Sequence, residues 1–159
     1  MAVIHRTSCR ALLLTPEREV LLIKIANPNG KWIGWITPGG GMDAGESEEQ
    51  GLRRELREEL GLENFSLGPR VWKRFHSFEW KGDTFAQHEV FFVLEVSRFE
   101  PKPQIDPTIS EVLDFREFRW WKIDDLLESR EEFAPRKLPA LLDALIADGA
   151  PPDAIDVGV

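Results

Sequence analysis

The sequence predicts an α/β fold, a mixed β-sheet packed between helices. Three observations lead there. Apolar runs of strand length recur along the chain, separated by turn residues. One segment, from about Glu48 to Leu60, carries the marks of a helix with both ends defined. A second amphipathic segment, Leu138 to Ala147, supplies another helical layer. The 159 residues suffice for one domain with a real core, and 42% hydrophobic with 30% charged content is ordinary for a globular chain. The expected organisation is a single domain over 1–159, with a poorly ordered tail from about Pro151.

Taken in order, Ser8–Leu14 and Glu19–Ala26 read as strands joined by the turn Thr15-Pro16-Glu17-Arg18. Lys31–Thr37 follows the loop Asn27-Pro28-Asn29-Gly30. Gly68–Trp80 and Thr84–Val96 flank Lys81-Gly82-Asp83, a hairpin signal. Val90–Val96 is apolar on both faces, as a central strand is. Phe99–Ser110 holds three prolines and reads as a loop, and Arg116–Lys122 as a short strand. Ile123–Ser129 begins a helix with Asp124 and Asp125 in its first turn. Asp148-Gly149-Ala150-Pro151-Pro152 stops the last one.

The helix at 48–60 carries the chemistry. Ser47 is a suitable N-cap, and Gln50 stands at the capping-box position. Gly61 suits the left-handed residue that ends a helix. Leu52, Leu56 and Leu60 share an arc that anchors the helix to a core. Glu55, Glu58 and Glu59 share a neighbouring arc, where like charges disfavour one another. A cation removes that conflict. Glu46 reaches the same place from the preceding loop, and Gly39, Gly40 and Gly41 allow close backbone approach to an ion or a phosphate. Oxygen ligands with no cysteine or histidine pair nearby suit Mg²⁺ or Mn²⁺ rather than Zn²⁺. An acid-rich helix taken alone is more often a solvated face; the surrounding residues decide against that.

Gly40, Glu46, Arg54-Glu55-Leu56, Glu58-Glu59 and Gly61-Leu62 together resemble the signature box of the Nudix hydrolases, and every defined position matches. The lead-in Trp35-Ile36-Thr37-Pro38-Gly39 is similar too, with Thr37 where the family more often has an aliphatic or aromatic residue. The resemblance implies an α/β/α sandwich. It implies hydrolysis of a diphosphate bond in a nucleoside diphosphate linked to another group, by a metal-activated water. Carried over, Glu55, Glu58 and Glu59 are metal ligands, Glu46 supports them or a second ion, and Arg54 holds the box glutamates by ion pairing. The carbonyl of Gly39 or Gly40 completes the coordination. A loop glutamate often reaches the metals in this family, and Glu111 stands in that neighbourhood; the base is either Glu111 or a box glutamate.

Net charge of −8 argues against extended nucleic-acid binding but not against a nucleotide, since the metal carries the attraction for phosphate. The expected partner is therefore a small nucleotide, and a homodimer is left open. No apolar run approaches the roughly 20 residues that span a bilayer, and the first residues lack a signal-peptide pattern. With the single Cys9, read as a plain buried thiol, these features point to the cytoplasm. Trp35 is a candidate to stack on a base, against core packing as the default for tryptophan. Arg136 is a candidate for phosphate contact, against a surface ion pair; His76, His88 and Glu89 are further candidates to face the pocket. Downstream markers that would suggest ADP-ribose or diadenosine polyphosphates are absent, with Ser77, Phe78, Glu79 and Trp80 in their place. Two other classes are a nucleotide-sensing module without turnover and a prenyl-diphosphate isomerase. Intact box glutamates disfavour the first. The second usually needs a cysteine beside the site, and the one available, Cys9, lies in an early strand.

Overall fold

The structure, a computed structural model, describes residues 2–27, 31–106, 108 and 114–159. The chain runs β1 (Val3–Leu14), β2 (Glu19–Ala26), β3 (Ile33–Ile36), β4 (Gly39–Gly41), α1 (Glu48–Leu60), β5 (Arg70–Trp80), β6 (Asp83–Glu95), β7 (Asp114–Lys122), α2 (Ile123–Glu128), β8 (Phe133–Ala134), α3 (Leu138–Asp148) and β9 (Ile155–Asp156). Among the described residues the strands form one mixed sheet in the order β8-β3-β2-β1-β6-β5-β9, with β4 on β1 and β7 on β2.

Side chains alternate across a strand, and β1 shows what that does. Cys9, Ala11 and Leu13 face α1, packing with Leu52, Leu56 and Leu60 and with Val90, Phe92 and Leu94 of β6. Leu12 and Leu14 point the other way, into a core with Trp72, Phe91, Ile123, Leu138, Leu142 and Leu145. Helices therefore cover both faces of the sheet, and the architecture is the α/β/α sandwich. Burying the three α1 leucines contributes about 1.5–3 kcal/mol each, enough to hold the box helix against the sheet.

Several boundaries differ from the sequence expectation. β1 begins at Val3 rather than Ser8, because it pairs in parallel with β6 from Val3↔Thr84 to Leu14↔Glu95. The ladder extends the strand through residues with no apolar pattern. Gly39, Gly40 and Gly41, read from the sequence only as a stretch of close backbone approach, pair as a short strand, Ser8↔Gly41, Cys9↔Gly40 and Arg10↔Gly39. The β5–β6 hairpin closes on two residues, Lys81 and Gly82, both at positive φ of 50° and 83°, the backbone that matches strand twist. The tail from Pro151, expected to be poorly ordered, is docked. Ile155 and Asp156 pair with Trp72 and Lys73, and Val157 enters the core. Only Val157 of that tail is buried among the described residues, while Ile155 and Val159 are exposed, so the segment has too little amphipathic pattern for a periodicity signal.

Candidate active site

The box helix forms as its sequence requires. Ser47 accepts from the Gln50 N–H at 3.1 Å, and the Gln50 side chain accepts from the Ser47 N–H at 2.9 Å. At the other end Gly61 takes φ 69°, and its N–H and that of Leu62 bond back to Arg57 and Leu56. A Cβ there would lie 2.5 Å from the Lys102 carbonyl oxygen. The helix is thus fixed at both ends, and its acidic arc faces the glycine strand β4.

Arg54 organises that arc. Its Nε and Nη2 donate to the two oxygens of Glu46 at 2.8 and 2.9 Å. Its Nη1 donates to Glu55 at 3.0 Å and to Glu58 at 3.3 Å, and Nη2 also reaches the Gly41 carbonyl at 2.9 Å. The ion pairing expected of Arg54 is present. The hydrogen bond from Arg54, with the Asp43 N–H, holds the Glu46 carboxyl down at about 2. Glu59 lies apart from Arg54, accepting from the Gly39 N–H at 2.9 Å. Loss of water pushes its pKa up to about 7, with Glu55 and Glu58 adding to the rise against the Gly39 N–H and Arg10. Desolvation likewise raises Glu55, with Arg54 opposing.

Gly39 and Gly40 are constrained as close approach requires. Gly39 sits at φ 125°, and a Cβ on it would meet the Cys9 carbonyl oxygen at 2.1 Å. A Cβ on Gly40 would lie 2.6 Å from a Glu55 carboxylate oxygen. Carboxylate and backbone oxygens are the donors a hard divalent cation takes, so the residues suit Mg²⁺ or Mn²⁺. Among the described residues no three acidic, histidine or cysteine side chains already converge on one ligand point. The four box glutamates are divided between Arg54, which pairs with Glu46, Glu55 and Glu58, and the Gly39 N–H, which bonds Glu59. In this arrangement an arginine is the neighbouring positive charge for three of them.

The other candidates are placed elsewhere, or lie beyond description. Trp35 is 1% exposed. Its indole N–H donates to Glu131 at 3.0 Å, and its ring meets the Trp121 edge with centroids 5.2 Å apart. It is a core residue with no face for a base, which corrects the stacking expectation. Arg136 is exposed between β8 and α3, and its backbone N–H bonds the Val159 carbonyl at 3.2 Å. Its contact is with the C-terminal end, not with the box. Glu111 lies outside the described residues. Cys9 is buried in β1, as expected, and burial first, then Glu48, pushes its thiol up to about 12. His88 is exposed; its ring stacks on His5 and meets Phe75 at a tilt of 52°.

Arg10 is the residue that reading the sequence missed. It is charged yet lies in the apolar run Cys9–Leu14, and a buried charge requires a partner; that was the available signal. The partner is Glu89 on β6, with Arg10 Nε to Glu89 Oε2 at 2.7 Å.

The carboxylate-bearing helix α1 thus packs against the glycine strand β4. The NUDIX domain family matches residues 4–143, most of the chain, and the chain belongs to that family. It is a pyrophosphohydrolase acting on phosphoanhydride bonds. Similar proteins include the nucleoside triphosphatase NudI of Escherichia coli O81, 29% identical over 126 residues covering 79% of this chain and 88% of the relative. The NudI of Escherichia fergusonii is 29% identical over 137 residues, covering 81% and 91%. The crystal structure of the MutT NUDIX hydrolase from Burkholderia pseudomallei superposes with a TM-score of 0.59 at 25% identity, over 87% of this chain and 96% of that one. The MutT protein of Methanosarcina mazei Go1 shares the fold, with a TM-score of 0.64 at 20% identity over 90% and 96%. Among the described residues no helix is long and apolar enough to cross a membrane.

Proposed function

We propose that the protein hydrolyses a diphosphate bond in a nucleotide or nucleotide derivative, with Mg²⁺ or Mn²⁺ held by Glu55, Glu58 and Glu59. Glu46 and a carbonyl of the glycine strand support that set. The observation that carries the reading is Arg54 bonded at once to Glu46, Glu55 and Glu58, with the Glu55 carboxylate lying where a Gly40 side chain would stand. When bound, the ion supplies positive charge for the diphosphate oxygens and lowers the pKa of a water. The chain's own residues do the rest. Arg54 sets the rotamers of three carboxylates. The Gly39 N–H orients Glu59. The bare backbone of β4 lets the Glu55 carboxylate lie directly against Gly40. A carboxylate then takes the proton from the attacking water, and the candidates are Glu58, Glu59 and Glu111.

Nucleoside triphosphates are the first substrates to try, because the similar NudI proteins are named for them. The test is a panel of nucleoside triphosphates, nucleotide sugars and dinucleoside polyphosphates with Mg²⁺. Orthophosphate, pyrophosphate and nucleoside monophosphate are measured separately. Release of monophosphate with pyrophosphate, or of orthophosphate from a diphosphate bond, is the expected result. Tight nucleotide binding with no product from any substrate would instead identify a sensing module. If Glu111 is the base, Glu111→Gln is expected to lower kcat about 10²-fold with Tm unchanged. Glu117→Gln on β7 is the control, and equal kcat in the two variants would assign the base to α1.

A further inference from the structure

Resting on that reading, we infer that Glu89, acting through Arg10, is a positioning residue for the carboxylate site, although it lies on β6 and touches none of the box glutamates. Arg10 spans the two. Its Nε donates to Glu89 Oε2 at 2.7 Å. Its Nη1 donates to the carbonyls of Thr37 and Gly39 at 3.2 and 3.0 Å. Gly39 is therefore held at both ends, its carbonyl by Arg10 and its N–H by Glu59 at 2.9 Å. The residue so held has φ 125°, a conformation that only glycine adopts readily. An external clamp is what keeps such a turn in one arrangement.

Glu89 gives the clamp its rigidity. It is 5% exposed, and its other oxygen accepts from Arg74 Nη1 at 2.5 Å, with His76 Nε2 at 3.5 Å. Arg74 is tied in turn to the Gly158 carbonyl at 3.1 Å, so the docked tail closes the back of the network. Arg10 and Arg74 share one buried anion but lead to different places. Only Arg10 reaches the glycine turn. A buried ion pair adds little net stability over an apolar pair of similar shape, and this one ends on the backbone that holds Glu59. Partners behind metal ligands act in this way, fixing ligand orientation without touching the ion.

The experiment compares Arg10→Lys and Arg74→Lys with the parent. Readouts are Tm, Mn²⁺ affinity by electron paramagnetic resonance, and kcat and KM on the best substrate. A lysine at position 10 keeps a charge for Glu89 but cannot also reach two carbonyls. Arg10→Lys is expected to bind Mn²⁺ about 10-fold more weakly and to lose at least about 10-fold in kcat, with KM within about threefold. Arg74→Lys is expected to keep parental Mn²⁺ affinity, whatever happens to its Tm. A folded Arg10→Lys with parental Mn²⁺ affinity and kcat overturns the inference. Equal losses in both variants also overturn it, since the effect would then belong to the buried charges in general. Should Arg10→Lys fail to fold, Glu89→Asp, which retracts the anchor but keeps its charge, is read by the same criteria. A parent that binds no Mn²⁺ would defeat the metal reading itself, which is a separate outcome.

Discussion

At Gly40 the space for a methyl group is already taken by the Glu55 carboxylate, 2.6 Å from where a Cβ would stand. The obstructing atoms are the end of a flexible side chain, so Glu55 can swing away while the backbone stays. Gly40→Ala is therefore expected to cost little stability, within about 1 kcal/mol, but to lower kcat at least about 10-fold by displacing a carboxylate. Parental kcat in this variant would mean that the position of Glu55 does not matter. Cys9 shows the opposite kind of burial. Its side chain faces α1 and its thiol is pushed up to about 12. The native protein should resist thiol-specific alkylation until it is unfolded, and rapid labelling of the folded chain would contradict that placement. Both residues were visible in the sequence as a glycine in a motif and a cysteine in an apolar run. What each would collide with depends on a neighbour supplied by another element.

The box helix was legible as an element because every signal that defines it is local. The capping residues, the leucine arc and the terminal glycine all lie between Ser47 and Gly61. Ser47→Ala removes one side of the capping box and is expected to cost about 1 kcal/mol, a Tm decrease of about 2–4 °C for a domain of this size. Calorimetry reads it, and an unchanged Tm would show that packing of Leu52, Leu56 and Leu60 alone fixes the helix. The strand β4 was not legible. Three glycines have no side-chain pattern, and their strand character comes from pairing with Ser8, Cys9 and Arg10. Trp35 failed for a related reason. Its place beside the box in sequence suggested exposure, but β3 is flanked by β2 and β8, and its partners Trp121 and Glu131 lie far along the chain. Local chemistry predicted the helix that bears the acids. It could not predict which residues the sheet brings behind them.

Over the whole molecule, the Arg10–Glu89–Arg74 network joins the sheet interior to the glycine turn and to the tail. Burial alone would raise the Glu89 carboxyl, but Arg10, His76 and Arg74 overcome it and hold it well below the ordinary carboxylate range. A depressed folded pKa means that this contribution is fully present above the unfolded value of 4.5 and is lost as pH falls below it. The parent should therefore lose Tm steeply below about pH 4.5. Glu89→Gln leaves two arginines without their buried anion, so it should be about 3–5 kcal/mol less stable near neutrality. Its acid slope should be shallower than the parent's. Parallel Tm curves from neutral to acid pH would show that other carboxylates carry the acid sensitivity. Such a network was illegible beforehand because Arg10 and Glu89 stand 79 residues apart and meet only through the parallel register of β1 and β6.

On the proposed reading, the glutamates of α1 hold a divalent cation for hydrolysis of a diphosphate bond. The measurement that tests it most directly is kcat on the best substrate against free Mg²⁺, begun from rigorously chelated protein, for the parent and for Glu58→Gln and Glu59→Gln. Turnover should vanish on chelation and return with Mg²⁺ or Mn²⁺. At saturating metal, at least one variant should remain about 10²-fold slower or worse, while in metal-free protein its Tm should be equal to or above the parent's. Full turnover by the chelated parent, or parental kcat in both variants, would contradict the account.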